Sequence, residues 1–225
     1  MTSTPDAETA PRASLPGAHL LADVLAGAAR LLTGVQVRWW RSEPGAARRV
    51  YFANHTSHLD ALVLWAALPE EIRRSTRPVA AKDYWDRSAL RRFLAARVFR
   101  AVLIQRPERT RSLALRATRA IIDEMSAVVA GGSSLIVFPE GTRGAGRVIK
   151  PFKSGIYYLA QRYPELEFVP AYLENMNRIL PKGEVLPVPL LGRVTFGPPM
   201  RLEPGENKRV FVERARQAVL ALREV

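Results

Sequence analysis

Two of the three histidines stand close together in Asn54-His55-Thr56-Ser57-His58-Leu59-Asp60, and a carboxylate ends the run. A histidine whose second ring nitrogen is held by a carboxylate can act as a general base, because the partner fixes the tautomer and stabilises the imidazolium that forms. Asp60 is the obvious partner for His55. On a continuous helix of about 3.6 residues per turn, positions five apart diverge by roughly 140°. The pair therefore meets only if His55 precedes the helix and Asp60 points back from its first turn. Two other readings fit the same residues. Ser57-x-x-Asp60 has the spacing of a capping box, which would account for the serine and the aspartate without chemistry. His55, His58 and Asp60 could instead ligate a hydrolytic zinc, although cysteine is absent and only His19 is left to add.

The elements around the motif suit a turn. Val50-Tyr51-Phe52 before it reads as a buried strand, and Leu59, Leu62, Val63 and Ala66 recur at helical spacing up to Pro69. Residues 1–17, rich in Pro, Ala, Ser and Thr, read as a disordered leader rather than a signal peptide. From Ala18 to Leu32 an amphipathic helix is expected, with Leu20, Leu21, Val24, Leu25, Ala28, Leu31 and Leu32 apolar and Asp23 and Arg30 polar. It is too short and interrupted to span a bilayer. Lying on a membrane surface and packing on the domain both remain open for it.

Strands are expected at Val35–Trp40, Arg49–Phe52, Pro78–Ala81, Ala101–Ile104, Ser134–Phe138, Phe168–Tyr172 and Gly192–Phe196. Helices are expected at Arg87–Arg100, with Leu90, Phe93, Leu94 and Val98 inward, and at Arg111–Val129, Ser154–Tyr163 and Glu206–Arg223. This alternation implies one α/β domain over residues 18–225, a sheet flanked by helices.

Lys and Arg number 34 against 21 Asp and Glu, a net charge of +13, so an anionic partner is expected: anionic lipid, a phosphorylated metabolite or nucleic acid. The arginines are scattered rather than run together, and no nucleic-acid-binding signature is present, which argues against nucleic acid. The absence of cysteine excludes disulfides, thiolate zinc sites and a cysteine nucleophile, and fits a reducing cytoplasm.

In open α/β sheets, ligands gather beyond the carboxyl ends of strands. Four expected strand ends carry unusual residues: His55, Arg106, Glu140-Gly141-Thr142-Arg143, and Pro170. Guanidinium groups bind phosphate bidentately, so these describe a base beside an anion pocket. At these blocks the sequence resembles the lysophospholipid and glycerolphosphate acyltransferases of the 1-acylglycerol-3-phosphate acyltransferase type. Asn54 to Asp60 matches the N-H-x-x-x-x-D block, Phe138-Pro139-Glu140-Gly141-Thr142-Arg143 the most specific block, Val102 to Arg106 the one between, and Phe168 to Ala171 the last. The resemblance covers about residues 35–200. Two departures stand out: Phe99-Arg100-Ala101, where the family commonly has a glycine, and Ala171, where a second aliphatic is usual.

The resemblance implies a glycerolphosphate acyltransferase-like mixed sheet and a catalytic pair of His55 and Asp60. It further implies that Arg106, Glu140, Gly141 and Arg143 hold the acceptor, with Thr142 shaping the turn. The acceptor would be a lysophospholipid, 1-acylglycerol 3-phosphate foremost. The donor would be an acyl thioester on CoA or acyl carrier protein, serving as co-substrate with no cofactor or metal. The expected location is peripheral, on an anionic membrane surface at its cytoplasmic face. A non-catalytic membrane-associated binding protein is the alternative from outside the enzymes.

Overall fold

The structure, a computed structural model, describes residues 16–105, 111–144, 148–179 and 191–225. Nearly all of the expected leader lies outside them, and so does Arg106. The described residues form a seven-stranded sheet in the order β1-β7-β6-β2-β5-β3-β4. These strands are β1 (Gln36–Trp39), β2 (Arg49–Ala53), β3 (Thr76–Ala81), β4 (Val102–Ile104), β5 (Ser134–Val137), β6 (Glu167–Glu174) and β7 (Arg193–Phe196). The β6–β7 pair is antiparallel and every other pair is parallel, so the sheet is mixed.

Every residue of β2 is buried, as expected of a central strand covered on both faces. Its side chains alternate between two cores. Tyr51 and Ala53 face the core under α1 (Pro16–Thr33) and α2 (Asp60–Ala67). Val50 and Phe52 face the core under α6 (Arg111–Ala130), α7 (Gly155–Arg162) and α9 (Lys208–Ala221). Helix α2 buries Val63, Leu64, Trp65, Ala66 and Ala67, and ends where Leu68, the residue before Pro69, turns extended. Helix α9 starts at Asn207, whose side-chain oxygen accepts from the amides of Arg209 and Val210.

Two sequence expectations are corrected. The helix expected over Arg87–Arg100 is α5 (Ala89–Phe93), which opens into a π-helical turn at Leu94–Val98. That turn breaks the 3.6-residue repeat, so Val98 stays buried while Leu90 and Phe93 are 68% and 45% exposed. Pro170 sits inside β6 rather than at its end. The Phe168 amide bonds Met200 O and Pro170 O accepts from the Gly197 amide, so this side of β6 faces the end of β7. The missing N–H of Pro170 thus falls where the ladder has already stopped. Three short helices without a sequence expectation complete the fold: α3 (Glu70–Arg74), α4 (Lys82–Trp85) and α8 (Met176–Ile179).

Where β2 begins, Arg49 is 9% exposed and its Nε donates to Glu167 Oε2 at 2.9 Å across the β2–β6 register. Removing one member of a mostly buried pair leaves the other charge without compensation. Glu167→Ala is expected to lower unfolding free energy by about 2–4 kcal/mol in urea titrations, and Arg49→Met by less.

Candidate active site

The chain leaves β2 through Asn54, which is 3% exposed. Its Nδ2 donates to Leu173 O at 2.9 Å and its Oδ1 accepts from the Leu173 amide at 2.8 Å. The side chain thus extends the β2–β6 ladder one step beyond the Ala53–Ala171 pair and fixes where His55 emerges.

Asp60 is fully buried, and its Oδ2 gathers three donors: His55 Nδ1 at 2.8 Å, the Thr56 amide at 2.5 Å and the Ser57 amide at 2.8 Å. Ser57 Oγ accepts in turn from the Leu59 amide at 3.3 Å. Only one of the two capping-box bonds is therefore made, that of the Ser57 amide to Asp60, and the carboxylate that braces the turn in this way also holds the histidine. A carboxylate only accepts, so Nδ1 carries the proton, and in the neutral ring Nε2 keeps its lone pair. His55 is 24% exposed on its side chain, enough for that nitrogen to be reached.

The turn after β5 grips the same histidine. His55 N–H donates to Glu140 Oε1 at 2.7 Å, its carbonyl accepts from the Gly144 amide at 2.7 Å, and its ring stacks on Phe138 at 4.4 Å. The other Glu140 oxygen accepts from the Lys150 amide at 3.0 Å, and the carboxylate is 4% exposed. No ion pair joins Glu140 to Arg143 among the described residues. Gly141 has φ +70°, donates its amide to Phe138 O and lies under the Lys153 side chain, whose Nζ would be 2.5 Å from an added Cβ. Lys150 Nζ donates to Arg143 O at 2.9 Å and Thr142 Oγ1 at 3.3 Å. The backbone amides of the histidine and Gly141 turns, considered as donors to a reacting oxygen, are in good part committed: those of His55, Thr56, Ser57, Gly141 and Gly144 all bond inside the site.

His58 turns away from Asp60 and stacks on Tyr84 at 4.8 Å. Burial, and next the charge of Arg143, pull its pKa below the ordinary histidine value. Among the described residues no three histidine or carboxylate side chains converge as metal ligands would. The sequence-expected residues His55, Asp60, Glu140, Gly141, Thr142 and Arg143 thus come together, while Arg106 lies outside the described residues.

The profile of the Acyltransferase family matches residues 36–174, the span from β1 to the end of β6 that holds every contact just described. The chain belongs to that family. Among similar proteins, a 1-acyl-sn-glycerol-3-phosphate acyltransferase of Limnanthes alba is 28% identical over 189 residues, covering 82% of this chain and 62% of its own. One from Cocos nucifera is 28% identical over 171 residues, covering 75% and 51%. The chain thus spans less than two thirds of the length of these relatives. The crystal structure of the 1-acyl-sn-glycerophosphate (LPA) acyltransferase PlsC from Thermotoga maritima superposes with a TM-score of 0.70 at 17% identity, over 92% of this chain and 78% of that one, which shows a shared fold.

Within this acyltransferase-family site, sequence reasoning named Asn54 only as part of a motif and passed over Lys153. Lys153 follows Lys150 by three residues, a spacing that could have pointed to it. Asn54→Leu would orphan the buried N–H and C=O of Leu173 at about 1–3 kcal/mol each. A loss of about 2–6 kcal/mol by urea denaturation is expected, with reduced turnover under native conditions because His55 shifts with its strand end.

Proposed function

We propose that the protein moves a fatty acyl group from an acyl thioester to the free hydroxyl of a lysophospholipid, foremost 1-acylglycerol 3-phosphate, giving phosphatidic acid. The observation that carries this reading is the His55 Nδ1–Asp60 Oδ2 contact at 2.8 Å, braced by the Glu140 turn. Nε2 takes the hydroxyl proton as the acceptor oxygen attacks the thioester carbonyl, and the tetrahedral adduct then expels the thiolate, which recovers that proton from the imidazolium. The acceptor is itself the nucleophile, so no acyl-enzyme forms. Holding hydroxyl and carbonyl together can contribute as much as the base, roughly 7–11 kcal/mol.

Arg143, with Arg106, holds the acceptor phosphate. Glu140 spends both oxygens on backbone amides, which supports a positioning role for it in place of the expected substrate contact. Beside the amides of the histidine and Gly141 turns that make no bond inside the site, the cations of Lys150 and Lys153 can meet charge on the thioester oxygen. The donor is acyl-CoA or acyl carrier protein, both anionic and both suited by the net charge of +13. No helix among the described residues is long and apolar enough to cross a membrane. The apolar stripe Leu20, Val24 and Leu31 on α1 is exposed at 69%, 57% and 85%, which supports contact with a membrane surface; the net charge of +13 suits an anionic one, and the proposed place is its cytoplasmic face.

Mass spectrometry of products from purified protein, given a matrix of thioesters and lyso-acceptors, is expected to show acylated 1-acylglycerol 3-phosphate. His55→Ala should lower turnover by about 10²–10⁴-fold with folding retained. Near wild-type turnover in that variant rules out the base, and inhibition by EDTA with equal loss in His58→Ala points to a metal instead. Arg143→Ala is expected to raise the acceptor KM and leave the donor KM little changed, with partial rescue by Lys, which keeps the charge and loses the planar fork. An equal slowing with 1-acylglycerol 3-phosphate and a monoacylglycerol, together with a lower Tm, would make Arg143 structural.

A further inference from the structure

Far from His55, a small recess of about 30 Å³ is lined by Arg73, Arg74, Arg77, Arg97 and Arg100 with a single carboxylate, Asp23. Thr76 and Arg77, which also line it, open β3, and Phe99 and Arg100 directly precede β4. The recess therefore lies at the amino ends of parallel strands, whereas the catalytic pair lies beyond the carboxyl end of β2. Strand β3 alone, at about 3.3 Å per residue, puts roughly 20 Å between the two ends of the sheet.

The anions present do not balance these cations. Asp23 pairs with Arg73 at 2.6 Å and with Arg74 at 3.7 Å, and Glu70 pairs with Arg74. Arg77, Arg97 and Arg100 have no ion-pair partner among the described residues, and Arg77 Nε is buried without a hydrogen bond. Burial and the neighbouring charge of Arg100 pull the Arg77 pKa down, as expected of cations crowded together without counter-charge. Arg100 also has φ +47°, a region that glycine enters freely and a side chain enters with strain. It stands in the stretch Phe99–Ala101, where the resemblance leads one to expect a glycine. This chain thus places a guanidinium at a position where the backbone favours its absence, and strain of this kind gathers at functional sites.

The walls of the recess tell what kind of anion it meets. Helix α1 supplies His19, Ala22 and Asp23, and on the same helix Leu20 and Val24 are exposed. The π turn supplies Arg97 and Val98, and α5 leading into it exposes Leu90 and Phe93. Exposed apolar side chains thus stand on both elements that wall the cationic hollow, which suits a headgroup seat beneath acyl chains better than a site for a freely soluble anion.

We propose that this recess binds the phosphate of an anionic phospholipid headgroup through Arg77, Arg97 and Arg100, orienting the protein on the membrane independently of the catalytic pocket. The assignment rests on the membrane-surface reading above and not on the chemistry of His55.

Co-sedimentation with vesicles of phosphatidylcholine alone and of phosphatidylcholine mixed with phosphatidylglycerol tests it in wild type, Arg100→Gly, Arg77→Gln and Arg119→Gln. Arg119 is exposed on α6, on the opposite face of the sheet, so its variant removes one charge elsewhere. Arg100→Gly and Arg77→Gln should each weaken binding to mixed vesicles about fivefold, and Arg119→Gln clearly less. Arg100→Gly should also melt at or above the wild-type temperature, because glycine relieves the strain, which separates lost binding from lost structure. Acyl transfer in detergent should be unchanged in Arg100→Gly. Wild-type vesicle binding by Arg100→Gly and Arg77→Gln overturns the proposal. If pyrophosphate then raises the Tm of wild type and not of Arg100→Gly, the recess takes a soluble phosphate and the lipid assignment fails. Loss of transfer in detergent with vesicle binding retained overturns it as well, since the recess would then serve the reaction. A wild type indifferent to phosphatidylglycerol sinks this site and the membrane reading together, while absence of transfer by a wild type that binds vesicles sinks the acyltransferase reading alone.

Discussion

One carboxylate oxygen organises the histidine turn. Asp60 Oδ2 accepts from His55 Nδ1 and from the amides of Thr56 and Ser57 while the residue is fully buried at the start of α2. Burying a carboxylate is costly unless such donors surround it, and here the donors are the residues whose shape the site needs. The helix N-terminus adds a favourable field for the same charge. The turn, the histidine tautomer and the placement of Nε2 are therefore one structural event rather than three. Half of the capping-box pattern of Ser57-x-x-Asp60 is kept, the Ser57 amide donating to Asp60 Oδ2, while Ser57 Oγ accepts from the Leu59 amide instead of that of Asp60, and the same carboxylate oxygen holds the histidine.

The sheet order explains why distant residues serve this turn. Strand β2 lies between β5 and β6, so the turn after β5 delivers Glu140 and Gly144 to one side of His55 and Leu173 of β6 receives Asn54 on the other. All three strands run parallel, which puts their carboxyl ends together and makes a crevice there. Glu140 closes the arrangement by accepting from His55 and Lys150 at once. Its carboxylate works as a clamp between two chain segments, which fits its near-complete burial better than a place on the pocket floor does.

Much of this was legible in the sequence, because the signals were local. The apolar run at Val50–Phe52, the helical repeat after Leu59 and the break at Pro69 carry the strand, the turn and the helix in neighbouring residues. What escaped was non-local or depended on small departures from regular geometry. The Glu140 clamp joins residues 85 apart, and nothing near Glu140 in the sequence marks its partner as an amide. Leu90 and Phe93 read as core because a 3.6-residue period was assumed to continue through Arg100, whereas the π turn at Leu94–Val98 interrupts it. Pro170 is expected at a strand end from the sequence, and its position inside β6 depends on where β7 stops, which is set by pairing rather than by β6 itself. The short helices α3, α4 and α8 span too few residues to show a period.

The central physical claim is that Asp60 holds His55 with its proton on Nδ1 and its lone pair on Nε2. With only three histidines in the chain, ¹⁵N-labelled imidazole spectra can be assigned by single substitutions. Nitrogen shifts of His55 near neutral pH measure the tautomer directly. The structure predicts a single Nδ1–H form for His55, converted to a mixture in Asp60→Asn. An Nε2–H form in the wild type, or a mixture that Asp60→Asn leaves unchanged, would contradict it.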